Sequence, residues 1–97
     1  MAKETVDSAS DNPKNPKSWF VYVVLCKDGS YYCGITTDLT RRIEEHNNGT
    51  GARYTRAKRP VKLLKHWTYP DRSSASKAEY RFKQLRRTAK ERLIRSD

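Results

Sequence analysis

The chain has 97 residues, 35% hydrophobic and 33% charged, and its 21 Lys and Arg against 11 Asp and Glu leave a net charge of +10. That length suits a single domain with one compact core. No apolar run approaches the ~20 residues of a membrane-spanning helix, and so strong a positive balance directs attention to polyanions, nucleic acid ahead of anionic membrane surface.

Residues 1–17 are polar, contain Pro13 and Pro16, and have no periodic apolar positions, so they are expected to form a disordered tail ahead of a domain spanning residues 18–97. They hold no apolar stretch of the secretory type, and a cytoplasmic location is expected. Residues 19–26 (WFVYVVLC) are aromatic and β-branched and read as a strand buried on both faces. Asp28-Gly29 marks a turn, and Tyr31 to Thr36 reads as the returning strand of a hairpin. Thr37 or Asp38 can cap a helix running to about Asn48, with Gly49 as its stop. Residues 49–60 read as a basic loop and residues 61–69 as a third strand. Ser73 or Ser74 is expected to cap a helix reaching about Arg87, and Thr88 with Glu91 a capping box for a last short helix ending near Ile94. The order β-β-α-β-α-α predicts an α+β domain, a small three-stranded antiparallel sheet flanked by helices. Cys26 and Cys33 lack the closely grouped partners of a zinc site and are expected to be buried strand residues in a reducing compartment.

Several residues stand out for their placement. Leu39 and Ile43 define the buried stripe of the first helix, and Arg42 and His46 lie together beside it. In the later helix Ala75, Ala78, Phe82 and Leu85 form the core face. Glu79 lies at its edge as the sole carboxylate among Lys77, Arg81, Lys83, Arg86 and Arg87. Taken singly, each has a structural explanation: sheet packing for Tyr22, Tyr31 and Tyr32, a snorkelling side chain for Arg42, a hydrogen-bonded polar residue for His46, and an intrahelical ion pair with Lys83 for Glu79. A carboxylate in that position could equally serve as an oxygen ligand for one Mg²⁺.

Taken in order, they form a pattern. Phe20-Val21-Tyr22 precedes Tyr32-Cys33-Gly34, which continues as Ile35-Thr36-Thr37-Asp38-Leu39-Thr40-Arg41-Arg42. His46, the loop Gly51-Ala52-Arg53-Tyr54-Thr55 and Glu79 follow. Over residues 19–87 this series resembles the GIY-YIG nuclease family, and is most similar to its small stand-alone bacterial members. Phe20 and Val21 stand where the family has Gly and Ile, Cys33 stands where it has Ile, and no Asn follows Asn48 to match the polar Asn of larger members. The resemblance implies a metal-dependent endonuclease. Tyr22 and Tyr32 would line the site, one of them helping a water attack phosphorus, and Gly34 would allow close backbone approach. Arg42 would hold the scissile phosphate, His46 would orient a tyrosine or the substrate, and Glu79 would bind one Mg²⁺ or Mn²⁺ ion. Neither a small-molecule cofactor nor a membrane partner is expected.

Hairpin parity bears directly on this arrangement, because strand side chains alternate faces. A two-residue turn at Asp28-Gly29 would point Tyr22 and Tyr32 to opposite faces, whereas a three-residue loop Lys27-Asp28-Gly29 with a glycine bulge puts them on the same face. The second register is the one expected. For nucleic acid, Arg41, Arg53, Arg56, Lys58 and Arg59 are expected to contact phosphates and Tyr54 to stack on an exposed base. No motif for reading base sequence is present, so the expected target is DNA recognised by shape, such as ends, nicks or branches. A nucleic-acid-binding module that keeps the fold without turnover is the alternative.

Overall fold

A computed structural model describes residues 18–96, so the proposed tail of residues 1–17 lies outside the described residues. The elements are β1 (Trp19–Leu25), β2 (Tyr31–Thr36), α1 (Leu39–Asn47), α2 (Arg53–Arg56), β3 (Lys62–Tyr69), α3 (Arg72–Lys83) and α4 (Arg87–Arg95). The strands form one antiparallel sheet in the order β2-β1-β3. This is the α+β architecture expected, with one short helix, α2, added within the basic loop. Four residues reading Arg-Tyr-Thr-Arg are too short to show helical periodicity, and α2 is held by the burial of Thr55.

The apolar run of β1 takes the central position and is covered on both faces, and Val21, Tyr22, Val23 and Val24 are each at most 1% exposed. Alternation sends Val21 and Val23 to one face, where they pack with Cys33 of β2 and with Ala75 and Phe82 of α3. Tyr22 and Val24 go to the other face, with Val61, Tyr32, Leu63, and Leu39 and Ile43 of α1. The sheet is thus sandwiched between α1 and α3. Both cysteines are free and buried.

The hairpin adopts the three-residue loop. Cys26 N–H donates to the Ser30 carbonyl at 2.8 Å, leaving Lys27-Asp28-Gly29 as the connection. Gly29 has φ +88°, the left-handed conformation that this loop requires. The Asp28 carboxylate accepts hydrogen bonds from the Ser30 hydroxyl and N–H and pairs with Lys58, which lower its pKa to about 2.

Asp38 caps α1 by accepting from the Arg41 N–H at 3.1 Å, and Gly49 with φ +88° ends the turn after it. The Asn47 side-chain amide then bonds the Val61 backbone in both directions, at 3.1 and 2.7 Å, fixing where β3 begins. Two expected caps are corrected. Asp71 caps α3, accepting from the Ser74 N–H at 2.8 Å, because its carboxylate reaches the first turn before Ser73 or Ser74 can serve. The helix also ends at Lys83, short of Arg87. Thr88 lies inside α4, whose N-cap Arg86 makes no side-chain cap, and Glu91 pairs instead with Arg87 at 3.1 Å.

The hairpin register depends on Gly29. Gly29→Ala should cost about 1 kcal/mol, the scale of a left-handed side-chain penalty, with Gly29→Asn costing less. Urea unfolding midpoints measure this; an unchanged midpoint for the alanine variant would show that the turn does not need a left-handed residue.

Candidate active site

The site grows from the β1–β2 pairing. Tyr22 lies opposite Gly34 and Val24 opposite Tyr32, so the two tyrosines share the α1 face of the sheet, as the three-residue loop requires. A Cβ at Gly34 would lie 2.6 Å from the Tyr22 hydroxyl oxygen and 2.8 Å from its ring carbon. The missing side chain lets the phenol pass over β2 and reach α1.

There it meets two side chains one turn apart on the helix. The Tyr22 hydroxyl lies 2.8 Å from Nε2 of His46 and accepts from Nε of Arg42 at 3.4 Å. The Nη1 of Arg42 donates to Glu45 at 2.9 Å. Arg42 Nη2 has no protein hydrogen bond among the described residues, and the side chain is 29% exposed. The imidazole of His46 is fully buried, and its Nδ1 lies 2.7 Å from Oγ1 of Thr55, also fully buried. Thr55 enters the sequence pattern only as the last residue of the loop Gly51-Ala52-Arg53-Tyr54-Thr55, with no role of its own, because a threonine within a basic loop carries no pattern that marks it as buried. Glu45, likewise unflagged, tethers the guanidinium.

Tyr32 packs its ring edge-on to His46 with centroids 5.3 Å apart, and stacks on Tyr54 at 5.7 Å with a 23° interplanar angle. Its hydroxyl has no hydrogen bond among the described residues. Tyr54 is 43% exposed, and Nζ of Lys58 lies 4.0 Å above its ring. Arg53 and Arg56 are exposed with no ion pair among the described residues, and Arg41 is exposed beside Glu45 at 3.9 Å. Lys58 is already paired with Asp28 at 3.1 Å, and Arg59 donates to the Arg56 carbonyl at 2.8 Å while lying against Gly49.

Glu79 stands apart. It belongs to α3, on the opposite side of the sheet, partly exposed and paired with Lys83 at 3.3 Å. Its charge acts on Cys33, the β2 residue between Tyr32 and Gly34; burial first and that charge second push the thiol up to about 12. None of its hydrogen bonds or ion pairs reaches Tyr22, Tyr32, Arg42 or His46. At the edge of the described sheet, β2 turns Cys33 toward Glu79 on one face and Tyr32 toward His46 on the other. A cleft of about 240 Å³, lined by Tyr31, Tyr32, Cys33, Tyr54, Phe82, Lys83 and Lys90, crosses that edge.

The description of the GIY-YIG catalytic domain matches residues 18–92 of this sequence. The chain belongs to the GIY-YIG catalytic domain family. It is 55% identical over 75 residues to a UPF0213 protein of Xanthomonas campestris pv. campestris strain 8004, covering 77% of this chain and 74% of that protein. It is 48% identical over 85 residues to a UPF0213 protein of Enterococcus faecalis, covering 86% of this chain and 97% of that one. It also resembles the solution NMR structure of a UPF0213 protein from Bacillus halodurans, with 45% identity, TM-score 0.53, and 79% of this chain and 82% of that one covered. A GIY-YIG domain is a nuclease domain, which points to a hydrolase acting on nucleic acid. No helix among the described residues is long and apolar enough to cross a membrane.

The ionisation states follow from this packing. Burial pushes the Tyr22 phenol up to about 12 despite the opposing hydrogen bond from Arg42, so it stays protonated at neutral pH. Burial, then the Arg42 charge, lowers the His46 pKa below its ordinary 6.5, keeping the imidazole neutral. For Arg42, burial works against the cation, but its bonds to Tyr22 and Glu45 together outweigh it and raise the pKa.

Two consequences are measurable. Gly34→Ala should displace the Tyr22 phenol and cost about 1–3 kcal/mol, as overpacking does; a thermal melt unchanged from the parent protein would contradict the close approach. For His46, the unfolded imidazole takes up a proton near pH 6.5 while the folded one resists it. Stability is therefore complete above that pH and falls as pH drops below it. His46→Gln should flatten this slope between pH 7 and 5, read by urea unfolding at each pH, and a slope that survives the substitution would assign it to other groups.

Proposed function

We propose that this protein is a cytoplasmic, Mg²⁺-dependent endonuclease that hydrolyses DNA phosphodiester bonds and selects its target by structure more than by sequence. The observation that carries the reading is the line from Arg42 through the Tyr22 hydroxyl to Nε2 of His46, with a cation at its more exposed end and a neutral base at its buried end. Hydrolysis needs a proton removed from the attacking water and negative charge stabilised on the phosphoryl oxygens. A phenol held near pKa 12 supplies little phenolate by itself. It can act as a relay, taking a proton from water as it passes its own to His46. Arg42, with Nη2 unengaged, would hold the scissile phosphate. Tyr32, whose hydroxyl has no hydrogen bond among the described residues, would line the mouth of the site and help orient the water.

The donor set suits a hard divalent ion only sparsely. Among the described residues no three His, Cys, Asp or Glu side chains gather. Mg²⁺, however, is commonly held by one or two carboxylates together with substrate phosphate. Glu79 supplies one such carboxylate at the β2 edge, and a bound ion there would neutralise charge on the reacting phosphate. Arg41, Arg53 and Arg56 would contact flanking phosphates, and Tyr54 would stack on an unpaired base. Lys58 and Arg59 would contribute after leaving their present partners. The ion pair between Glu79 and Lys83 favours a second reading, a nucleic-acid-binding module without turnover.

A cleavage panel of nicked, flapped, branched and linear DNA in Mg²⁺ or Mn²⁺ separates the two. Cutting of a structured substrate is expected, with Arg42→Ala and Glu79→Ala each slowing it by roughly 10²–10³-fold, the scale of losing one charge-stabilising group. Binding should weaken steeply with salt in all three proteins. Salt-sensitive binding without cutting would select the binding module, and cutting that persists in both variants would place the chemistry elsewhere.

A further inference from the structure

We propose that Thr55 is a positioning residue that locks His46 in the tautomer bearing its proton on Nδ1, leaving Nε2 as the acceptor for the Tyr22 proton. The inference rests on the phosphodiesterase reading for its consequence in catalysis, but its structural content stands on hydrogen-bond direction alone.

Two ends of the network give the same answer. At one end the Thr55 hydroxyl donates to the Ala52 carbonyl at 3.0 Å. A hydroxyl has a single proton to give, so toward His46 Nδ1, at 2.7 Å, Oγ1 acts as acceptor and Nδ1 carries hydrogen. At the other end the Tyr22 oxygen already accepts from Arg42 Nε, and the only acceptor within reach of the buried phenol proton among the described residues is His46 Nε2. The opposite tautomer would leave that phenol proton buried and unpaired.

The loop preceding α2 holds the ring in the same place. A Cβ at Gly51 would lie 2.7 Å from His46 Nδ1 and 2.9 Å from its Cα. Gly51 thus lets the chain close over the Nδ1 edge and bring Thr55 onto it. In the proposed relay the phenol O–H bond breaks as the Nε2–H bond forms, and the Tyr22 oxygen takes the proton released by water. The water oxygen bonds to phosphorus as the P–O bond to the leaving sugar oxygen breaks. That oxygen takes a proton from solvent, and His46, holding the phenol proton, ends as the cation. That transfer requires Nε2 to begin unprotonated. Thr55 is fully buried and acts only through the imidazole. It also ties the ring to α2, which carries the proposed phosphate and base contacts Arg53, Tyr54 and Arg56.

The test pairs long-range proton–nitrogen correlation spectra of the His46 imidazole with cleavage kinetics for the parent protein, Thr55→Val and Thr55→Ser. The parent should show a single Nδ1–H tautomer. Thr55→Val, which removes the acceptor at nearly constant volume, should lose that uniqueness and lower kcat about 10²-fold, the low end of what a positioned acid–base group supplies, with KM changed less than about twofold. Thr55→Ser should restore both. An Nε2–H tautomer in the parent protein overturns the proposal even if the valine variant does not fold. A valine variant that keeps the Nδ1–H tautomer and full kcat overturns it as well. A parent protein with the Nδ1–H imidazole that cuts nothing would sink the nuclease reading while supporting the assignment of Thr55.

Discussion

The buried hydrogen bond between Tyr22 and His46 is the contact on which the α1 side of the sheet is organised. Neither partner can be moved alone. The phenol crosses β2 because position 34 has no side chain, and the imidazole is enclosed by Gly51, Thr55 and Tyr32. The most deeply buried large side chains are Tyr22, His46, Val21, Val23, Val24 and Thr55, so half of the innermost set is polar at its tip. In a low-dielectric interior such a network is stabilising when every member is paired and costly when one is not. The chain satisfies it by running hydrogen bonds without a gap from Arg42 to the Ala52 carbonyl.

Much of this was legible in the sequence where a pattern spans many residues. The uniform apolar run of β1 marks a doubly covered strand, and it occupies the sheet centre. Leu39 and Ile43 mark the face of α1 that packs inward, and with it the place of Arg42 and His46. What escaped rests on single atoms. The cap of α3 turns on whether Asp71 or a following serine reaches the first free N–H, and the carboxylate does. Helix α2 has no amphipathic period to read, and Thr55 counts only because its hydroxyl meets a buried ring nitrogen. The hairpin loop is an intermediate case. Asp-Gly is compatible with two registers, and the shared face of Tyr22 and Tyr32 follows from the longer one.

The resemblance named Glu79 alongside four residues that the fold gathers on one face, yet Glu79 sits on the helix covering the other. The sheet order accounts for how one site could draw on both. With β2 at the edge, Tyr32 and Cys33 face opposite sides of a single strand, and among the described residues no further strand closes the boundary between them. The cleft across that edge has an aromatic wall from Tyr32 and Tyr54 and a basic one from Lys83 and Lys90. An extended nucleic-acid backbone laid along it would meet cations from α3 and α4 and the aromatic pair from β2 and α2. The ion pair of Glu79 with Lys83 is partly exposed and so inexpensive to open, which would free the carboxylate for the divalent ion of the proposed reaction.

Edge strands normally require protection, because their free N–H and C=O groups invite pairing with another chain. Here β2 is covered by side chains from α2 and α4 packed on its own tyrosines. Arg87 lies over the Tyr31 ring at 4.2 Å and donates to the Gly29 carbonyl at 3.0 Å, so α4 guards the turn end. Tyr54 of α2 stacks on Tyr32 near the start of the strand. The aromatic residues that would receive a base in the proposed reaction therefore also shield an exposed strand in its absence. A surface with both tasks must be rigid enough to exclude another strand and open enough to admit a nucleotide. Stacked rings resting on a buried imidazole, with only one of them largely exposed, suit both demands, because a base can take the place of Lys58 over the Tyr54 ring while the buried hydrogen bonds beneath stay intact.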